Sequence, residues 1–355
     1  MPALAMPVTG PIEGDRSRAG RRVMAALALL LLLSALAGLA MGASGTSLWQ
    51  GLADLAMGRE LALRDRVVLW DIRLPRVLMG VLVGAALAVS GALLQGLFRN
   101  PLADPGIVGV SAGASLGAVV AIVLGASLPF AAGLGPWLVP VAAFTGAWVA
   151  TMTLYRIATR QGRTSVATML LAGIALTALA MALTGLLVYV ADDAQLRDFT
   201  FWNMGSLAGA TWSKLSVAAP LMLVPLAAAP LLARGLNGLA LGEAAAGHIG
   251  IPVQRLKRAA ILTVAAATGT AVAVSGGIGF VGIVVPHLLR LAIGPDHRFL
   301  LPNAALLGAT LLLLADLVSR TVIAPAELPI GIVTAVIGGP FFLFILLRQR
   351  GIVDL

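Results

Sequence analysis

Cysteine is absent from the 355 residues. That excludes a disulfide framework, a thiolate metal site and a cysteine nucleophile. Lysine is almost absent as well: only Lys214 and Lys257 occur, and neither follows a glycine. Hydrolysis of ATP on a phosphate-cradling loop needs a Gly-rich turn that ends in lysine, so this chain carries no such loop and is not itself an ATPase of that kind. Charge is scarce too, at 11% of residues, against about 25% in an ordinary soluble domain. So few charges cannot cover the surface of a soluble fold of this length, which excludes a soluble enzyme and a disordered chain. The net charge of +9 does not signal nucleic acid either. The basic residues are scattered between apolar blocks, not gathered on one face.

What is plentiful is apolar. Hydrophobic residues make up 59% of the chain, with 41 glycines besides, a mixture that suits closely packed helices in lipid. A hydrocarbon core about 30 Å thick needs about 20 apolar residues per helix. Ten runs meet or approach that length: Val23–Met41, Val77–Phe98, Ile107–Leu124, Trp137–Tyr155, Thr164–Val190, Trp212–Leu232, Ala259–Val274, Ile278–Ile293, Leu301–Ile323 and Ile330–Leu347. The fold class is therefore an all-α polytopic membrane protein. The first run is too long for the apolar stretch of a cleavable signal and is read as a retained helix. The eighth is short and holds Pro286.

An even number of spans puts both termini on one side. With the N-terminus in the cytoplasm, sixteen basic residues fall inside and eight outside, as the positive-inside rule requires. Residues 1–22 form a cytoplasmic tail and 23–355 one transmembrane domain. Its longest cytoplasmic loop runs over 234–258. The outer loop from Gly42 to Arg76 holds Trp49 and Trp70, and the one around Ala191–Thr211 is expected to carry a short interfacial helix.

Titratable groups are few. His248, His287 and His297 lie far apart in sequence, so no metal site is assigned, nor any catalytic residue. Asp316 is the acidic residue placed within a span, and Arg320 stands one helical turn on as its expected partner. A proton relay would need more embedded ionisable groups, which counts against an ion-coupled transporter working alone. Gly80 and Gly84 read as a small-residue packing stripe. Arg99-Asn-Pro and Asp104-Pro read as a rigid inner turn with Asp104 as a cap. Gly276 and Gly277 read as an outer hairpin.

Several stretches are more specific than hydropathy. They include Arg73-Leu-Pro-Arg76, Arg99-Asn-Pro-Leu-Ala-Asp-Pro-Gly106, Ala240-Leu-Gly-Glu-Ala244, Gly279-Phe-Val-Gly-Ile-Val-Val-Pro-His-Leu-Leu-Arg290 and Glu327-Leu-Pro-Ile-Gly-Ile-Val-Thr334. From the second helix to the C-terminus the chain resembles the permease subunits of FecCD-type ABC importers, which take up ferric siderophores, haem and cobalamin. The resemblance implies a homodimer in the bacterial inner membrane, two cytoplasmic ATPase subunits that hold the ATP and Mg, and a periplasmic binding protein, with no cofactor on this chain. It implies an ATPase-coupling role for Leu241, Gly242, Glu243 and Ala244. It further implies that Arg73, Arg76 and Arg320 receive acidic residues of the binding protein. The cargo expected is haem or a ferric siderophore, with cobalamin as the alternative. The pathway, placed on Thr164–Val190, yields no named residue.

Overall fold

A computed structural model describes residues 16–42, 45–60, 62–127, 129 and 131–348. Both chain ends, and most of the expected N-terminal tail, lie outside the described residues. The chain begins with α1 (Ser17–Ala40), α2 (Leu48–Ala56), α3 (Leu63–Arg66) and α4 (Leu74–Phe98). Then come α5 (Val110–Leu124), α6 (Ala131–Leu134), α7 (Leu138–Ala158), α8 (Val166–Val190) and α9 (Asp193–Asn203). The second half holds α10 (Trp212–Ala228), α11 (Ala233–Leu239), α12 (Glu243–His248), α13 (Val253–Ser275), α14 (Val281–Ile293), α15 (His297–Thr321) and α16 (Ile330–Arg348). Among the described residues, eight helical stretches are long and apolar enough to cross a membrane, and two shorter apolar helices, Val281–Ile293 and Ile330–Leu343, bring the set to the ten expected. Helices dominate because lipid offers no partner to a backbone N–H or C=O, so each span must satisfy its own.

Helix α4 is the axis of the bundle. The most apolar window of Leu63–Phe98 is 83% buried, whereas that of α8 is only 17% buried. Around α4 pack α10, α13, α14 and α15, and glycines set how closely. A Cβ added at Gly84 would overlap the Gly308 carbonyl oxygen of α15, and one added at Gly91 would overlap that of Gly282 in α14. The same reciprocal contact joins α5 to α7 through Gly113 and Gly146. Small residues let helix backbones touch, which maximises van der Waals contact where there is no hydrophobic drive between helices.

Three boundaries differ from the sequence reading. The second span reaches back to Leu63, through a wider π-helical stretch at Val67–Arg73. Pro75 stands in the first turn of α4; it has no N–H to give to the preceding turn, and the ladder shifts register there. Much of the expected outer loop is thus helix, and Arg73 and Arg76 sit in helical backbone instead of ending a loop. Second, Trp212–Leu239 is continuous helical structure, so the cytoplasmic connection emerges only at Ala240. Third, Gly276 and Gly277 make more than a hairpin. Ser206 donates its N–H to the Ser275 carbonyl (2.7 Å), Ile330 to Gly205 (3.0 Å) and Gly331 to Met204 (2.9 Å). Three outer turns are tied together there, and Gly205 and Gly276 at φ +74° and +71° leave no room for a side chain against Gly277 and Trp202.

Other local expectations hold. Asp192 caps α9 with Gln195 closing a capping box, which gives the short helix expected after Val190. Asp104 accepts from the Gly106 N–H (2.7 Å) and caps the turn Pro105–Val108. Burial holds its carboxyl above the usual carboxylate range.

Candidate functional site

Chemistry-bearing side chains gather at two poles of the bundle. The inner pole is built on α12. Gly242 precedes it at φ +105°, a backbone that an L side chain rarely adopts, and lets the chain turn sharply from α11 into α12. Leu241 and Ile249 are 71% and 62% exposed, and Ala244 is exposed beside them. An apolar surface this small, held out of the membrane core, has no partner within the chain. The four residues expected to couple, Leu241, Gly242, Glu243 and Ala244, are contiguous at this tip.

Sequence reasoning missed what anchors it. Glu243 accepts from Lys257 (Nζ to Oε1 2.6 Å), and the same ammonium donates to the Thr164 carbonyl at 2.7 Å. Lys257 is 1% exposed. Thr164 in turn gives its N–H to Gln254 Oε1 (2.9 Å). Thus α12, the start of α13 and the hairpin Thr159–Arg160/Arg163–Thr164 before α8 are joined by one buried cation. The available signal was the rarity of lysine: one of only two lies inside the loop's own helix.

The outer pole surrounds Asp316, which is 1% exposed. The expected partner, Arg320, is present at 3.5 Å, but Arg76 is nearer: its Nη2 lies 2.8 Å and its Nε 2.9 Å from Oδ1. The two remaining edges of the Arg76 guanidinium meet Glu327, Nη1 to Oε1 and Nη2 to Oε2, both at 2.9 Å. Those hydrogen bonds hold the Glu327 carboxyl below its ordinary range. Arg320 also donates to the Gly38 carbonyl (2.8 Å), and Arg73 donates to the carbonyls of Leu39 (2.6 Å) and Ala40 (3.2 Å). All three arginines expected at a docking surface are brought together here, and all are buried: 3% exposed for Arg73 and 6% each for Arg76 and Arg320. Glu327, with a side chain 38% exposed, is the member of the cluster that reaches solvent. Three guanidiniums face two carboxylates, leaving the pole net positive. Its partner Asp316 lies 240 positions from Arg76, beyond any local pattern.

A protein whose long helices enclose a glycine-packed axis, with an exposed apolar tip at one end and a buried charge cluster at the other, matches one family model over residues 28–348, the FecCD transport family. The chain belongs to that family. It is a multi-pass membrane permease of the ABC-importer kind, the membrane subunit and not itself the ATPase. The hemin transport system permease protein HmuU of Yersinia pestis is 48% identical over 337 residues, covering 93% of this chain and 96% of the relative. The cobalamin import permease BtuC of Halobacterium salinarum is 47% identical over 80% of this chain and 74% of its own. The vitamin B12 import permease BtuC of Klebsiella pneumoniae is 40% identical over 95% and 96%. A solved metal-chelate type ABC transporter in an inward-facing conformation superposes with a TM-score of 0.81 at 33% identity, covering 92% of this chain and 99% of that one.

Proposed function

We propose that this FecCD permease carries an iron chelate, haem or a ferric siderophore, from a periplasmic binding protein into the cytoplasm. It works as a homodimer in a bacterial inner membrane, with two ATPase subunits that hold the ATP and Mg. The observation that carries the cargo is the near full-length 48% identity to the hemin permease. The 40–47% identities to cobalamin permeases favour cobalamin as the second reading. Uptake of labelled hemin and of labelled cobalamin into liposomes that hold the permease with its ATPase separates the two. Cobalamin uptake with hemin excluded overturns the first.

The stroke enters through α12. The exposed side chains Leu241 and Ala244 seat on the ATPase, Gly242 sets the angle of the tip, and Glu243 passes displacement to Lys257. From there it reaches α13 directly and α8 through the Thr164 carbonyl. Surface seating and transmission are separable in this geometry. Lys257→Met keeps the aliphatic stem and leaves Glu243, whose side chain is 44% exposed, free to be hydrated. The ATPase is expected to co-purify with this variant at the parental level while transport per ATP falls by about fivefold or more, the scale of a typical coupling energy. Parental transport would show that the stroke takes another route.

At the outer pole the family resemblance gives Arg73, Arg76 and Arg320 to the binding protein. Their burial sets how that contact is made: an incoming carboxylate reaches Arg76 by replacing Glu327, whose own carboxylate occupies the same guanidinium. Glu327→Gln removes the competitor and one negative charge. The expected result is binding-protein affinity about two- to fivefold tighter at low salt, the scale of a partly exposed ion pair, with the gain shrinking as salt rises. Unchanged affinity at every ionic strength would remove Glu327 from the docking contact.

A further inference from the structure

A second basic site lies at the inner end of the bundle, on the side of α11 and away from the coupling tip of α12. Between the start of α1, the end of α11 and the turn that joins α14 to α15 is a cavity of about 1120 Å³, lined by Arg16, Arg21, Arg290, Arg298, Asn237 and Asp296 among others. Its charge is one-sided. Asp296 is already spent: Arg298 lies 2.6 Å from its Oδ2, and the Asn237 amide donates to its Oδ1, also at 2.6 Å. Burial alone would raise the Asp296 carboxyl, but the hydrogen bonds from Arg298 and Asn237 bring it down to about 2, so it stays an occupied anion at any physiological pH. Among the described residues, Arg16, Arg21 and Arg290 have no carboxylate within 4 Å. The Arg290 guanidinium is held by the Gln95 side-chain oxygen, a neutral partner that fixes its direction and leaves its charge uncompensated.

The same helices carry an independent feature deeper in the bilayer. A cleft of about 290 Å³ opens among α1, α14, α15 and α16, lined by Leu30, Val284, Leu307, Leu311, Leu314 and Ile337 and by no charged residue. Leu30 is nine residues from Arg21, Leu307 ten from His297, and Val284 six from Arg290. At about 1.5 Å per residue the apolar cleft begins about 9–15 Å beneath the arginines, within the depth of one leaflet, which is about 15 Å. A multivalent cation site at the headgroup level, with a dry groove directly below it between the same helices, matches one kind of molecule.

We propose that this is a binding site for an anionic glycerophospholipid of the inner leaflet, its phosphodiester held by Arg16, Arg21 and Arg290 and an acyl chain laid in the cleft beside Leu30 and Leu307. Basic pockets between transmembrane helices on the cytoplasmic side hold acidic headgroups by this chemistry. A bound lipid would touch Asn237 on α11, the helix that leads into α12, so it would brace the element through which the ATPase acts.

The test uses the full-length chain, purified with its ATPase and exchanged into mixed micelles that contain phosphatidylglycerol, diphosphatidylglycerol or phosphatidylcholine, with retained lipid counted by native mass spectrometry. The unmodified complex should retain the two anionic lipids and lose phosphatidylcholine. Each arginine near an acidic headgroup is worth about fivefold in occupancy, so Arg21→Gln with Arg290→Gln should lower retention about 30-fold. Arg64→Gln with Arg66→Gln, an equal charge change at the outer end, should not. Equal retention by parent and inner variant overturns the proposal, as does displacement of the lipid by inorganic phosphate alone, which would make this a free-phosphate site. If the inner variant loses its ATPase but keeps its lipid, the arginines serve a protein contact and the proposal also fails. Should the inner variant not fold, the unmodified chain decides: its unfolding temperature rises with phosphatidylglycerol over phosphatidylcholine if the site exists and is the same in both if it does not.

Discussion

Replacing Asp316 by alanine should abolish accumulation of the folded permease. The carboxylate is 1% exposed and lies between the guanidiniums of Arg76 and Arg320. Its removal leaves two like charges facing each other in a low-dielectric interior, with only Glu327 left to pair one of them. Removing one partner from a buried ion pair costs about 3–5 kcal/mol, a large part of the roughly 5–15 kcal/mol that holds a folded protein together. The measurement is the monodisperse fraction after detergent extraction, together with its unfolding temperature. Asp316→Asn should fall between alanine and the parent, since it keeps the shape and one acceptor but drops the charge. An Asp316→Ala protein that extracts and unfolds like the parent would mean that the outer cluster contributes nothing to the fold.

Gly91→Val should be as damaging for an unrelated reason. A Cβ there meets the Gly282 carbonyl group head-on, with the Gly282 carbonyl carbon and Cα both 2.6 Å away. Backbone cannot rotate aside as a side chain does, so α4 and α14 must separate. Their separation also breaks the hydrogen bond from the Gln95 amide to the Gly282 carbonyl, now 3.1 Å long, and with it the hold of Gln95 on Arg290. Overpacking in a tight core costs about 1–3 kcal/mol, occasionally more, and here the loss of a buried hydrogen bond adds to it. Gly185 in α8 is the control, because a Cβ added there meets nothing within 4 Å. Gly185→Ala should leave the extracted yield unchanged or slightly raised, as alanine favours helix over glycine by about 1 kcal/mol. Equal losses at both positions would show that glycine matters here as a residue type and not through the α4–α14 crossing.

The sequence was most legible where each segment decides its own state. Ten apolar runs became ten helices, with boundaries shifted mainly at Pro75 and at the joined stretch Trp212–Leu239. The Asp104 turn, the Asp192 cap and the small residues at Gly80 and Gly84 were legible because capping and close packing depend on residues a few positions apart. Specific loop words such as Ala240-Leu-Gly-Glu-Ala244 carried the family, and hence the coupling tip. What anchors that tip was not legible, because Lys257 reads as one more basic residue of a cytoplasmic loop until Thr164 and Glu243 are placed beside it.

By itself, then, the sequence determined that this chain lives in a bilayer, how many times it crosses, and which way it points. Each of these follows from transfer and hydrogen-bond energies that every segment meets alone in hydrocarbon. Which helices lie inside the bundle was decided only by tertiary structure. Leu63–Phe98 and Val166–Val190 are both strongly apolar, yet one is wrapped by neighbours and the other lies largely open, since an apolar side chain is as well satisfied by lipid as by another helix. The pairing of Arg76 with Asp316 belongs to the same class. A buried charge must find its counter-charge wherever the packing brings one, and no rule of spacing along the chain connects residues 240 positions apart.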